Sequence, residues 1–353
     1  MRIKLAILEK DQNYLNRIVT AFSTKYADKF EIYSFTDKDI ALSTLDSSRI
    51  DVLVASEAFE IDVAKIPTYC GFAYFVDSSD IDHVNEQRAI CKFQKADLIY
   101  KQILSVYSEK AGSVSGLKLG EESAKVIAFT SVGCGVGNST MAAAAAMHFA
   151  SKHKKTLYLN LEKFGSSDSF FSGEGQFNMS DIIFALKSKK TNLSLKLESC
   201  VKQDASGVYF YSQPKIALDM NELSPDDILR LISELKLTGA YDYIVIDIPF
   251  GIETNMLKIL RQAHAIIWVG NGTEISNLKI YRAFTALSTI EQNADSTLTN
   301  RLALIYNMFS SKSSKTVGEI GIKTIGGAPR YEHATDSQIL EQLYKMEMFS
   351  EII

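Results

Sequence analysis

The sequence predicts an α/β protein built of two doubly wound parallel-sheet domains. Three observations carry this expectation. Short apolar runs alternate with stretches of helical periodicity along most of the chain. That is the pattern of strands buried on both faces by crossover helices. At 353 residues, the chain has the length of two ordinary domains. Between the two series lies SVYSEKAGSVSGLKLGEESAK (residues 105–125), where glycine, serine and charge replace apolar periodicity, as in a linker. The expected division is therefore residues 1–108, a linker at 109–123, and residues 124–353.

In the first series, Lys4–Leu8 reads as a buried strand, and Asp11–Phe22 carries apolar residues at helical spacing. A strand at Phe30–Phe35, a short helix near Asp39–Leu45 and strands at Asp51–Ser56 and Phe72–Asp77 follow. A fifth strand is expected at Ala96–Tyr100. Five such units in about a hundred residues fit a flavodoxin-like domain. The second series has strands at Lys125–Ser131, Thr156–Leu161, Gly207–Ser212, Tyr241–Pro249, Ala263–Asn271 and Asn300–Phe309, most of them separated by helical stretches. It reads as a larger sheet of the same kind.

Composition excludes several classes. With 46% hydrophobic and 23% charged residues, the chain can build ordinary cores and is not disordered throughout. No apolar run approaches the ~18–20 residues of a membrane span. The N-terminus meets Glu9 and Asp11 before a signal core can form, so a cytoplasmic protein is expected. Cys70, Cys91, Cys134 and Cys200 are scattered without a CxxC pair, which speaks against a disulfide framework or a zinc site. Net charge is −4, so no nucleic-acid partner is expected. The C-terminal stretch SQILEQLYKMEMFSEII has an apolar stripe but net negative charge after Ile339. It is expected to pack on the sheet and not to enter an anionic bilayer, so no direct membrane insertion is foreseen.

The main chemical motif is at residues 126–140, VIAFTSVGCGVGNST. A buried strand ends in Gly133-Cys134-Gly135-Val136-Gly137-Asn138-Ser139-Thr140, and an alanine-rich helix follows. Glycines let the backbone N–H groups turn toward one point, and the helix N-terminus adds partial positive charge. The run approaches GxxxxGK[ST], with Val132 where the first glycine would stand and Asn138 in place of the lysine. Ser139 is the candidate ligand of a magnesium ion, and the strand Tyr243–Asp247 ends in a second candidate, Asp247. A thiol at a helix N-terminus can be reactive, but Cys134 reads better as a small residue tolerated in the loop.

These motifs resemble the MinD/ParA class of deviant P-loop ATPases. The class loop KGGVGK[ST]T aligns with GCGVGNST, so Gly133 and Asn138 stand where its two lysines stand. By the same resemblance, its DxD motif falls on Asn160-Leu161-Glu162 and its DxP motif on Asp247-Ile248-Pro249. The adenine-side residues would be Asn307 and Pro329. The resemblance implies ATP and Mg²⁺ as cofactors. Glu162 would orient the attacking water, and Asn160 would be a neutral remnant of the first aspartate. A receiver-like domain ahead of such an ATPase resembles the TadZ/CpaE family of Tad-type pilus assembly proteins.

A receiver also needs carboxylates after its first strand, an aspartate ending its third and a lysine ending its fifth. Here Glu9, Lys10 and Asp11 follow the first strand, and Ser56 stands at the phosphoacceptor position with Glu57 beside it. Asp77 stands near the expected threonine, and Lys101 is the candidate for the fifth-strand lysine. Glu9, Lys10, Ser56 and Lys101 therefore form a degenerate pocket, and the domain reads as a pseudo-receiver.

The functional expectation is an ATP-binding homodimeric scaffold that localises or organises a Tad-type pilus or secretion assembly, recruited to a cell pole or the inner membrane face. Its partners would be assembly proteins. Loss of a transition-state donor costs roughly 10²–10³-fold in rate, so the expected enzyme is at most a slow ATPase. The alternatives are a cycling MinD/ParA-type positioning ATPase and a DNA-binding two-component output regulator.

Overall fold

The computed structural model describes residues 2–110, 124–188, 192–292, 298–318 and 320–352. Most of the expected linker, residues 111–123, lies outside the described residues. The first stretch runs β1 (Ile3–Leu8), α1 (Gln12–Lys25), β2 (Phe30–Phe35), α2 (Lys38–Ser47), β3 (Val52–Ser56), β4 (Gly71–Val76), β5 (His83–Val84), β6 (Gln87–Cys91) and α3 (Ala96–Lys110). From residue 124 the order is β7 (Lys125–Thr130), α4 (Asn138–Ser151), β8 (Thr156–Asn160), α5 (Ser167–Phe170), α6 (Met179–Lys187), α7 (Leu193–Cys200), β9 (Lys202–Gln203) and β10 (Tyr209–Phe210). Then come α8 (Pro225–Leu237), β11 (Tyr243–Asp247), α9 (Thr254–Leu260), β12 (Ala265–Gly270), α10 (Glu274–Glu291), β13 (Leu302–Phe309), β14 (Lys323–Pro329) and α11 (Asp336–Leu343).

The chain divides into two compact units. Unit 1 is Met1–Ser115 with Phe184–Cys200, and unit 2 is Gly116–Ile183 with Val201–Ile353. Unit 1 thus takes in α7, a helix that follows unit 2's first strands in sequence.

The sheet of unit 1 has the order β2-β1-β3-β4-β6-β5, parallel except for the β5–β6 pair. Period-2 alternation sends Leu5, Ile7, Val52, Val54 and Phe75 to one core with α1 and α3. It sends Ala6, Leu8, Leu53, Ala55 and Tyr74 to the other face with α2. The strand expected at Ala96–Tyr100 is instead the start of α3. Its apolar residues continue at helical spacing through Ile103, Leu104 and Val106, and fifteen residues of that period are too long for a strand. The fifth parallel strand is β6, whose sequence QRAIC begins with two polar residues.

The sheet of unit 2 has the order β14-β13-β12-β7-β11-β8-β10-β9, parallel except for β9–β10. Sequence periodicity did not foresee β14, whose two glycines and terminal proline dilute the apolar pattern. Both sheets are therefore mixed at one edge and parallel elsewhere. Helix α4 is buried over Met141–Ala146. Its alanines, free of bulky side chains, let the helix axis come close to β7, β8 and β11. Leu340, Leu343, Met348 and Phe349 join the same core, so the C-terminal stripe packs inside unit 2. Among the described residues no helix is long and apolar enough to cross a membrane.

Candidate functional site

In unit 2, the carboxyl ends of β7, β8 and β11 converge on the start of α4, with β7 flanked by β11 and β12. Such a crevice beyond parallel strand ends is where α/β sheets bind ligands. The loop from β7 to α4 has left-handed backbone at Gly135 (φ +69°) and Gly137 (φ +78°). Gly137 is the N-cap of α4 and offers no side-chain cap. From Gly133 through Thr140, no backbone N–H donates to another described residue. The first N–H groups of a helix have no partner within it, so this run of open donors at a helix N-terminus is available to an anion.

The loop is braced from β13. Asn307 Nδ2 donates to the carbonyl of Val136 at 3.0 Å, and a Cβ on Gly137 would run into that same amide. Ser131 Oγ closes the near side by donating to the carbonyl of Gly133 at 2.9 Å. Asn307, expected beside an adenine, thus touches the loop itself. Pro329 ends β14, exposed and in register with Phe309. Cys134 is exposed on the loop.

Asp247 at the end of β11 is fully buried. Its Oδ1 accepts from Asn138 Nδ2 at 2.7 Å. Its Oδ2 accepts from Tyr158 Oη at 2.9 Å and Asn160 Nδ2 at 3.0 Å. Burial first, and then the charge of Glu162, push this carboxyl up to about 7 against hydrogen bonds from Ser139, Tyr158 and Asn138. Ser139 Oγ lies between the two acids and donates to Glu162 Oε2 at 3.3 Å. Glu162 is held in turn by its own N–H, which donates to Asn160 Oδ1 at 2.9 Å. Asn138 Nδ2 also donates to the carbonyl of Phe129 at 3.3 Å, while its Oδ1 is buried with no donor among the described residues.

The structure therefore brings together residues 133–140, Asn160, Glu162, Asp247 and Asn307. Sequence reasoning passed over Tyr158, although it lies two residues before Asn160 and so on the same strand face. A buried tyrosine hydroxyl needs a partner, and that rule pointed at the strand-end carboxylate. The oxygens of Ser139, Asp247 and Glu162 suit a hard divalent cation such as Mg²⁺, and the buried Asn138 Oδ1 is a further acceptor on the adjoining residue.

In unit 1, the end of β6 is followed by Lys92, which takes the place expected for Lys101. Lys101 lies on α3, away from any strand end. Lys92 Nζ pairs with Asp77 Oδ1 at 2.7 Å and with Glu9 Oε2 at 3.3 Å. Burial alone would lower this ammonium, but the hydrogen bond to Asp77 and the charge of Glu9 hold it above its ordinary value. Glu9 and Ser56 are buried at strand ends. Ser56 Oγ accepts from the Ala58 N–H at 3.4 Å. Lys10 turns away, donating to the carbonyl of Ala58 and lying over the ring of Phe59. Asp11 caps α1, accepting from the N–H groups of Asn13 and Tyr14. Lys92, Glu9 and Asp77 thus form an ion-paired strut, and the end of β3 carries the Ser56 hydroxyl.

Comparison with known proteins agrees with both halves. A family model described as the TadZ-like receiver domain matches residues 1–108. No curated protein matches the chain in sequence. A ParA family ATPase from Chlorobium tepidum TLS is similar in structure, with 20% identity, 65% of this chain and 96% of that chain covered, and a TM-score of 0.51. MinD from Aquifex aeolicus aligns with 19% identity over 63% of this chain and 95% of its own, at a TM-score of 0.47. MinD from Pyrococcus horikoshii OT3, solved with Mg-ADP, aligns with 15% identity over 65% and 96%, at a TM-score of 0.44. Residues 1–108 are accordingly a TadZ-like receiver domain, and the unit that follows has the fold of a ParA family ATPase.

Proposed function

We propose that this chain is an ATP-binding homodimeric scaffold that organises a Tad-type pilus or secretion assembly and hydrolyses ATP slowly or not at all. One observation carries the reading: an open nest of N–H donors from Gly133 to Thr140 with no lysine in it. The nest, the dipole of α4 and the brace from Asn307 supply ground-state binding of phosphates. Ser139 and Asp247 would hold Mg²⁺, which neutralises phosphate charge when bound. Phosphoryl transfer depends on positive charge meeting the γ-phosphate as bonds change. With Gly133 and Asn138 in the lysine positions, transition-state binding suffers more than binding itself.

A scaffold that keeps its nucleotide holds one assembly state. A receiver-like domain whose acceptor position is Ser56 serves as a docking module, and two copies in a dimer gain avidity for a repeated partner. The cycling ATPase is the second reading. It draws on Glu162, held beside Ser139 where a water-orienting acid would be useful. Light scattering with and without ATP, together with a steady-state phosphate-release assay, separates the two. The scaffold reading expects an ATP-dependent dimer with turnover far below ~1 s⁻¹, the low end of ordinary enzyme rates. A monomer with ATP bound, or turnover at that rate, rejects it.

A further inference from the structure

Replacing a lysine by asparagine does more than delete a charge. The amide brings an oxygen into a place where the ammonium had only donors. In this structure both hydrogens of Asn138 Nδ2 are used, one on Asp247 Oδ1 and one on the Phe129 carbonyl. That fixes the amide's orientation and leaves Oδ1 on its other edge, buried and without a donor. A buried acceptor left without a donor is unfavourable, and Oδ1 has lone pairs to offer a ligand. The other side-chain oxygens at these strand ends are the Ser139 hydroxyl, bonded to the Glu162 carboxylate, and the Asp247 carboxylate, bonded to Asn138 Nδ2. Among them no lysine or arginine hydrogen-bonds or ion-pairs with Asp247 or Glu162 in the described residues. A polyphosphate brought to the nest adds further negative charge to two carboxylates.

We infer that Asn138 is part of the oxygen shell of a divalent cation, which takes over the charge of the missing lysines and makes nucleotide binding strictly metal-dependent. The inference rests on the nucleotide reading above and adds Asn138, through Oδ1 or a water bound to it, to the expected pair Ser139 and Asp247. In a phosphate loop that keeps its lysine, part of the phosphate charge is met without metal. Here the cation and the backbone dipoles must meet all of it.

The test is titration of a fluorescent ATP analogue into the full chain, first with excess Mg²⁺ and then with EDTA, followed by a Mg²⁺ titration at fixed nucleotide. Binding at least 100-fold weaker in EDTA supports the inference. The Mg²⁺ midpoint should rise at least fivefold in Asn138→Ala. Asn138→Lys, which returns a fixed charge, should shrink the EDTA effect to less than tenfold. Wild-type affinity that changes less than threefold in EDTA overturns the inference and leaves nucleotide binding standing. An unchanged Mg²⁺ midpoint in Asn138→Ala also overturns it. Absence of binding in both conditions overturns the nucleotide reading and this inference together. The wild-type comparison needs no variant to fold.

Discussion

Asn138 Nδ2 lies 2.7 Å from Asp247 Oδ1, so the first residue of α4 is bonded to the end of β11. This bond ties the first turn of α4 to the sheet. Hydrogen bonds to charged groups are worth about 1.5–3 kcal/mol. Asn138→Ala should lower the stability of the protein by roughly that amount, read as a shift in the urea midpoint. An unchanged midpoint would mean that water replaces the amide without loss.

Catalysis should respond to charge. A Cβ on Gly133 would meet only Val136 Cγ1, at 3.8 Å, so a side chain fits there. Gly133→Lys combined with Asn138→Lys should keep the fold and raise phosphate release at least ~10²-fold, the size of one transition-state donor. If turnover stays flat while ATP still binds, charge is not what limits the reaction.

The receiver pocket should be inert to phosphoryl donors. Acetyl phosphate or beryllofluoride should leave Ser56 and Glu57 unmodified, which intact-mass spectrometry reports directly. Lys92 should act on stability instead. Lys92→Met strands Glu9, which is buried, and should cost about 3 kcal/mol. Adding Glu9→Gln should recover most of that loss in a double-mutant cycle.

Acidification should loosen unit 2 at one identifiable contact. The Val126 N–H donates to His264 Nδ1 at 3.0 Å, which requires a neutral ring. Burial, followed by the charges of Lys236, Arg301 and Lys125, holds this imidazole below its ordinary value of 6.5. The unfolded chain therefore takes up the proton first. The stabilisation is complete above about 6.5 and declines as pH falls below it. The melting temperature should drop between pH 7.5 and 5.5, and His264→Asn, which keeps an acceptor, should flatten that drop. Equal slopes for both proteins would remove His264 from the account.

The parts of the fold that could be read from sequence were those with local signals. Glycines between a buried strand and an alanine-rich helix mark the turn from β7 into α4, where Gly135 and Gly137 take left-handed backbone. Asp247 was legible as the carboxylate closing an apolar strand. Lys92 was missed because β6 is short and begins Gln87-Arg88. The run ADLIY had the composition of a strand and only the longer window revealed a helix. Tyr158 hides in an apolar strand, and its role depends on β8 lying beside β11, with Asn160 opposite Asp247 in register. No property of residues 193–200 alone announces that α7 belongs with unit 1.

That grouping has a consequence for how the protein is made. In unit 1, Lys196 is buried with Nζ donating to Ser105 Oγ at 2.8 Å. Glu198 Oε1 accepts from Tyr100 Oη and Lys29 Nζ. The face of α3 that these residues cover is synthesised long before its cover. At about 5–20 residues per second, a ribosome needs roughly 5–20 s to travel from the end of α3 at Lys110 to the end of α7 at Cys200. The receiver domain precedes α7 in the message, so the face of α3 that α7 covers stays open until the β7–α4 turn has already left the peptidyl-transfer centre. Its nascent form spends that interval with an open helix face, a natural moment for a chaperone to hold it.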